Sequence, residues 1–109
     1  MALSEYKAVW LFAMFDLPVN TKKARKQYAK FRKKLLEEGF TMLQYSVYAR
    51  YCDNEEASDG HRNRIHKLLP SDGQIRLLSI TDRQFARQTV YMGKKPRKPE
   101  QPRDQLLLF

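Results

Sequence analysis

A single carboxylate ends an apolar stretch near the start of the chain. Asp16 closes the segment WLFAMFD and is followed by Leu17 and Pro18. A carboxylate at the point where a strand becomes a loop can accept a backbone hydrogen bond and so cap the turn. It can equally serve as a ligand for a divalent cation, because Mg²⁺ takes one or two carboxylates together with water and phosphate oxygens. The residue types alone leave both interpretations open.

The segment that follows Asp16 is rich in cations. Residues 21–38 have apolar side chains at the spacing of one helical stripe, namely Ala24, Tyr28, Phe31 and Leu35. The opposite side of this predicted helix carries no acid before Glu37, and its candidate phosphate-binding residues are Lys22, Lys23, Arg25, Lys26, Lys30 and Lys33. Solvated faces usually mix both signs of charge, so this pattern favours contacts with phosphates, without base reading and hence without sequence preference. Three later cations are expected to extend the row: Arg76, Arg83 and Arg87.

The composition narrows the classes of protein and site. The chain has 109 residues, with 21 lysines and arginines against 12 aspartates and glutamates, and this positive charge favours a polyanionic partner such as nucleic acid. The only cysteine, Cys52, excludes an intrachain disulfide and a four-cysteine zinc site, and indicates a cytoplasmic protein. His61 and His66 are five residues apart, so they do not face each other on a helix and predict no metal site. No apolar run reaches the ~20 residues that a membrane span needs.

The pattern of apolar residues predicts alternating strands and helices. A strand apolar on both faces is expected from Tyr6 to Phe15, then the helix over 21–38, and then either two short strands or one bent strand from Phe40 to Tyr51. Asn54 is expected to cap a second helix, and the segments QIRLLSIT, TDRQFARQ and TVYM predict a strand, a short helical turn and a brief accessory strand. This order is typical of a ferredoxin-like α+β sandwich, an antiparallel sheet with two helices on one face.

The predicted sheet leaves one apolar face without helices. Because the first strand is apolar on both sides, we expect a second copy to cover that face in a homodimer. If the two-fold axis passes near the ends of the first strands, the two Asp16 carboxylates can share one metal ion. Residues 1–92 form the predicted core, and residues 93–109 a linker rich in proline and lysine with a C-terminal docking strand made of Leu106, Leu107, Leu108 and Phe109.

Three segments, taken in order, resemble one known family. FDLP with Asp16, QYSVY over Gln44–Tyr48 and ITDRQF over Ile80–Phe85 are similar to the CRISPR-associated endoribonuclease family, and the resemblance runs from about Tyr6 to Met92. It implies that Asp16 is the catalytic metal ligand, for Mg²⁺ or Mn²⁺, and that two residues of QYSVY support the site: Ser46 and Tyr48.

The resemblance also implies a role in CRISPR spacer acquisition. It predicts a homodimer that bridges dimers of the CRISPR integrase and holds double-stranded DNA, while its C-terminal strand pairs with a neighbouring sheet edge. Three alternatives stay open at this point. The protein could be a metal-dependent nuclease on RNA or DNA, a toxin-type ribonuclease of the related virulence-associated D type, or a single-stranded RNA binder that stacks bases on sheet aromatics.

Overall fold

The computed structural model describes residues 7–102 and has the predicted alternation of elements. The elements are β1 (Val9–Asp16), α1 (Lys22–Glu37), β2 (Thr41–Gln44), β3 (Val47–Cys52), α2 (Glu55–His66), β4 (Gln74–Thr81), α3 (Asp82–Ala86), β5 (Val90–Met92) and β6 (Lys95–Arg97). The stretch from Phe40 to Tyr51 therefore forms two strands rather than one bent strand. The predicted docking residues lie outside the described part of the chain: Leu106, Leu107, Leu108 and Phe109. No helix within residues 7–102 is long and apolar enough to cross a membrane.

The main sheet has four antiparallel strands in the order β2-β3-β1-β4. This order confirms the ferredoxin-like prediction, since β1 lies inside the sheet and is flanked by β3 and β4. Its position explains why β1 is apolar on both faces: each face must be covered. Alternation along β1 sends Leu11 and Ala13 to one face and Trp10 and Phe12 to the other.

Helices α1 and α2 both cover the first of these faces. Phe31 and Leu35 of α1 and Ile65 of α2 are buried there against β1. The predicted stripe of α1 is confirmed, and its end at Gly39 follows from a φ of 91°, a backbone conformation that glycine adopts readily. In helix α2 the buried residues are Ile65 and the polar Ser58. The Ser58 hydroxyl is hydrogen-bonded at 3.1 Å to the Ser79 hydroxyl on β4, so this buried polar group is satisfied.

The other face of the sheet, which we call the open face, is partly covered by the chain itself. Phe85 of α3 stacks on Trp10 with ring centroids 3.8 Å apart, and both side chains are buried. The indole Nε1–H of Trp10 donates to Asp82 Oδ1 at 2.8 Å, which ties α3 to β1. Towards the far end of β1 the open face is less covered, since Leu78 is 50% exposed and Phe12 is half-buried. An apolar surface is thus left for a partner, but it is smaller than β1 alone suggests.

The predicted linker begins with a hairpin rather than an extended chain. Strand β6 pairs with β5 in a separate two-stranded sheet, with Tyr91 opposite Pro96. The turn between the two strands contains Gly93 at a φ of 64°. The side chains of this hairpin are largely exposed, and Tyr91 retains 61% of its accessible surface. Strand β6 contains no large apolar residue. The hairpin is therefore held together by the pairing of β5 with β6 and not by a hydrophobic core.

A polar cluster joins the end of α1 to α2. The Glu38 carboxylate accepts hydrogen bonds from Arg64 and from His61 Nδ1, the latter at 2.7 Å, and Arg50 Nε donates to the Glu38 carbonyl oxygen at 3.0 Å. Burial raises the pKa of Glu38, but the hydrogen bonds from Arg64 and His61 outweigh it and lower the pKa below 4.5. Burial lowers the pKa of His61 below 6.5, a shift that the Glu38 contact only partly offsets.

Acid should destabilise the fold through this cluster. For both groups the unfolded chain takes up a proton more readily than the folded chain, so stability falls as pH drops below 6.5 for His61 and below 4.5 for Glu38. We expect the urea midpoint to fall between about pH 7 and about pH 4, and to fall less in the double variant Glu38→Gln, His61→Gln. An equal loss in the wild type and the double variant would assign the acid sensitivity to other carboxylates.

Candidate functional site

Asp16 is the last residue of the central strand and projects from the open face. It pairs with Gln74 of β4, and alternation along β1 places it on the same side as Met14, Phe12 and Trp10. Its side chain is exposed, in contrast to Phe15 and Leu17 on either side, which are buried against the helices. The apolar segment therefore ends in a carboxylate because at this point the strand leaves the core.

Asp16 lies in an open depression of about 260 Å³ at the end of the open face. The depression is lined by β1, the β2–β3 turn and the start of β4. Its lining includes the polar or exposed side chains of Asp16, Tyr45, Ser46, Gln74 and Arg76. A larger cavity of about 370 Å³ lies between the β1–α1 loop and the α2–β4 turn, but Asp16 does not line it. We take the smaller depression as the candidate site because it combines a carboxylate, a guanidinium and a phenol.

Two tight backbone contacts hold the depression in shape. Gly73 has a φ of 95°, and a Cβ there would come within 2.8 Å of the Asp16 carbonyl oxygen, so the α2–β4 turn can approach β1 only with glycine. On the other side, Ser46 has a φ of 62°, in the left-handed region that residues other than glycine rarely adopt. The Ser46 carbonyl accepts a hydrogen bond from the Phe15 amide at 3.1 Å, which keeps this turn against the end of β1.

The two predicted supporting residues occupy different places. Ser46 lines the depression with Asp16, and its hydroxyl is 3.0 Å from the Tyr28 hydroxyl of α1. Tyr48 instead points to the helix-covered face, where it is buried and stacks on Phe15 with ring centroids 5.5 Å apart. The structure thus places Tyr48 in the hydrophobic core, away from the Asp16 carboxylate.

Tyr45 belongs to the depression although sequence reasoning did not select it. The residue patterns mark it only as the point where the alternation from Phe40 to Tyr51 breaks. It lies in the two-residue β2–β3 turn and is 73% exposed. Its pKa is raised, first by side-chain hydrogen bonding with Tyr28. An aromatic residue at a turn, where it cannot join the core, is the signal that could have identified it.

The basic residues of α1 form an exposed surface on the outer side of that helix. This cationic surface consists of Lys22, Lys23, Arg25, Lys26, Lys30 and Lys33, all of which are exposed. Near its end, Lys34 pairs with Glu37 at 3.4 Å, and near its start Arg25 donates to the Val19 carbonyl at 3.1 Å. Arg76 does not extend this surface, because it faces the depression on the opposite side of the sheet.

One chain supplies few ligands for a metal ion at Asp16. Within residues 7–102 no group of three or more histidine, cysteine, aspartate or glutamate side chains could hold a metal. Mg²⁺ nevertheless binds through one or two carboxylates when water and phosphate oxygens complete its shell. Asp16 is exposed and on the face available to a second copy, so its carboxylate fits such a shared site and not a site enclosed by one chain.

Fold and site together define a class: a basic ferredoxin-like α+β protein with an exposed carboxylate at the end of its central strand. Residues 9–88 match the family model described as CRISPR associated protein Cas2, and the chain belongs to this family. Two relatives named CRISPR-associated endoribonuclease Cas2 are similar over nearly their whole length. The protein from Parvibaculum lavamentivorans is 54% identical over 93% of this chain and 100% of its own, and that from Flavobacterium psychrophilum is 44% identical over 98% and 93%.

Family membership confirms the resemblance carried by Asp16, QYSVY and ITDRQF. A third relative of the same name, from Ligilactobacillus salivarius, is 46% identical over 78% of this chain and 84% of its own. The protein is therefore a component of CRISPR adaptation, and its relatives are named for nuclease activity. This family membership favours the CRISPR hypothesis over the hypothesis of a toxin-type ribonuclease.

Proposed function

We propose that this protein is a dimeric scaffold of the CRISPR spacer-acquisition complex, which binds duplex DNA through the phosphate backbone and bridges dimers of the CRISPR integrase. The observation that supports this most directly is the cationic surface of α1. All six of its residues are exposed on one helix, and the apolar side of that helix packs against β1. Five of the six are lysines, and a row of lysines suits contacts with phosphates, which position a duplex without reading its sequence.

Apolar side chains that stay exposed on the open face support a dimer. Phe85 covers Trp10 and contacts Phe12 from one side, whereas Leu78 remains half exposed and Met14 is half-buried. A second copy on this surface would bury the remaining apolar side chains and bring two Asp16 carboxylates towards each other. The chain beyond residue 102, including the Leu106–Phe109 segment, is our candidate for the contact with the integrase. Its apolar side chains fit a strand added to a neighbouring sheet edge.

The test is the salt dependence of duplex binding. Each phosphate that a cation neutralises releases counterions, so log K should fall with log[salt] by about 0.9 per contact, or a slope of about −5 if most of the cationic surface of one chain is used. The measurement is fluorescence anisotropy with a blunt DNA hairpin at several salt concentrations. Affinity that barely changes with salt would contradict the proposal.

A matched pair of variants locates the contact. Replacing Lys26, Lys30 and Lys33 with glutamine should reduce the magnitude of the slope by about 3 and weaken binding similarly for unrelated sequences. The control replaces three exposed lysines in and beside the β5–β6 hairpin, which removes the same charge: Lys94, Lys95 and Lys98. If both triple variants lose equal affinity, overall charge rather than the cationic surface of α1 determines binding.

The exposure of Asp16 supports a second candidate, a Mg²⁺-dependent or Mn²⁺-dependent endonuclease that hydrolyses RNA or DNA phosphodiesters. Asp16 of each subunit would hold the ion, which when bound supplies Lewis-acid activation of the phosphodiester. Arg76 in the same depression offers a guanidinium to orient a phosphate, and Ser46 keeps the β2–β3 turn against β1. This candidate requires that cleavage disappear when the Asp16 carboxylate is removed.

A further inference from the structure

Tyr45 combines exposure with a fixed ring position. Its side chain keeps 73% of its accessible surface, and its ring stacks on Tyr28 with centroids 6.1 Å apart and an interplanar angle of 18°. Tyr28 is itself held in the core by an edge contact with Phe15, with centroids 5.6 Å apart. An exposed aromatic ring that is held on one side presents its remaining surface at little entropic cost on binding.

The turn that carries Tyr45 is held just as firmly. Ser46 follows it in the left-handed conformation, which costs energy unless other contacts maintain it. Two contacts do so: the Ser46 hydroxyl bonds the Tyr28 hydroxyl, and the Ser46 carbonyl accepts from the Phe15 amide. These contacts fix the position of Tyr45 at the edge of the depression.

The depression brings three chemical groups together around Tyr45. Arg76 supplies a guanidinium, which suits a phosphate, and Asp16 supplies a carboxylate, which suits a metal ion. Tyr45 supplies an aromatic surface, on which a nucleobase of any kind can stack. A volume of about 260 Å³, which is open to solvent in the single chain, suits one nucleotide of a longer strand.

We propose that the depression binds an unpaired nucleotide, with its base stacked on Tyr45 and its phosphate against Arg76. The base must be unpaired because a base inside a duplex already stacks on neighbours on both sides and offers no free face. The protein then distinguishes nucleic acid with a single-stranded end from a blunt duplex. This inference rests on the proposed function in one respect, since the cationic surface of α1 provides the duplex affinity to which the Tyr45 contact adds.

The experiment compares DNA hairpins that differ only in their bases. Each hairpin carries a fluorophore and a short single-stranded extension, which is either thymidine or abasic, so that the number of phosphates is the same. We expect the wild type to bind the base-bearing hairpin about tenfold more tightly than the abasic one. Tyr45→Ala should remove this difference, whereas Tyr45→Phe should keep it because the ring remains.

Tyr91→Ala is the matched control, since Tyr91 is also an exposed tyrosine but does not line the depression. It should keep the tenfold difference. Ribonucleotide and deoxyribonucleotide extensions are compared, and a base-dependent difference that Tyr45→Ala abolishes with either sugar supports the inference. The same affinity for both extensions in the wild type, or a difference that persists in Tyr45→Ala, would overturn it. In that case salt-dependent binding of the blunt hairpin by the wild type would still support the DNA scaffold. If the wild type bound none of the hairpins, both the scaffold proposal and the Tyr45 proposal would be contradicted.

Discussion

Removing the Asp16 carboxylate should lower metal-dependent cleavage by on the order of 100-fold or more, while duplex binding stays unchanged. Asp16 is exposed and lies opposite Gln74 at the end of the sheet, so the substitution Asp16→Asn alters no buried contact. A lost metal ligand removes charge stabilisation worth several kcal/mol in the transition state, and each ~1.4 kcal/mol is a factor of ten in rate. The measurement is the initial rate of cleavage with Mg²⁺ or Mn²⁺, together with the oligomeric state.

The matched control for this variant is Asp72→Asn, which removes another exposed carboxylate in the neighbouring turn. Asp72 lines the larger cavity and not the Asp16 depression. The Asp72→Asn variant should cleave the substrate at the same rate as the wild type. A chelator should abolish cleavage and leave duplex binding intact, because the cationic surface of α1 needs no metal. Cleavage that survives Asp16→Asn, or a wild type that binds but does not cleave, would contradict the nuclease candidate and leave the scaffold.

Truncating Phe85 to alanine should lower the free energy of unfolding by about 3–5 kcal/mol. Phe85 is 1% exposed and stacks flat on Trp10, so its removal leaves a cavity and uncovers the indole on the open face. Urea unfolding at one fixed protein concentration measures the loss, since dimerisation would otherwise make the midpoint depend on concentration. Trp10 is the only tryptophan, and its fluorescence should shift to the red if the folded variant admits water there.

Two further variants show whether the loss comes from packing. Phe85→Leu keeps most of the volume and should cost less than the alanine variant. Arg83→Ala changes an exposed residue of the same short helix and should stay within about 0.5 kcal/mol of the wild type. If Phe85→Ala were nearly neutral, a second copy and not α3 would be the main cover of Trp10.

Much of the fold can be predicted from local sequence patterns. The stripe from Ala24 to Leu35 predicts α1 because a helix can bury only one side, and Thr21 caps that helix by accepting a hydrogen bond from the Ala24 amide. Asn54 caps α2 in the same way through the Ala57 amide. These features depend on residues three or four positions apart, so the chain determines them without knowledge of the fold. The exposure of the α1 cations follows from the same periodicity.

The placement of individual side chains depends on long-range packing. Tyr48 belongs to the same short motif as Ser46, yet the strand sends it into the core and Ser46 to the depression. The sequence pattern cannot assign that direction, because the register between β2 and β3 shifts between Met42 and Gln44, and only strand pairing defines that shift. Phe85 is another case, since its stacking on Trp10 joins residues 75 positions apart.

The sequence by itself determined the order of elements, the antiparallel sheet with two helices on one face, and an exposed basic helix that follows Asp16 along the chain. Tertiary structure decided that Asp16, Tyr45 and Arg76 line one depression, because the antiparallel register places Arg76 opposite Met14 and the Ser46 carbonyl holds the turn against Phe15. These three residues span sixty positions of the sequence and come together only because β1 lies between β3 and β4. A local sequence pattern cannot predict contacts between residues so far apart in the chain.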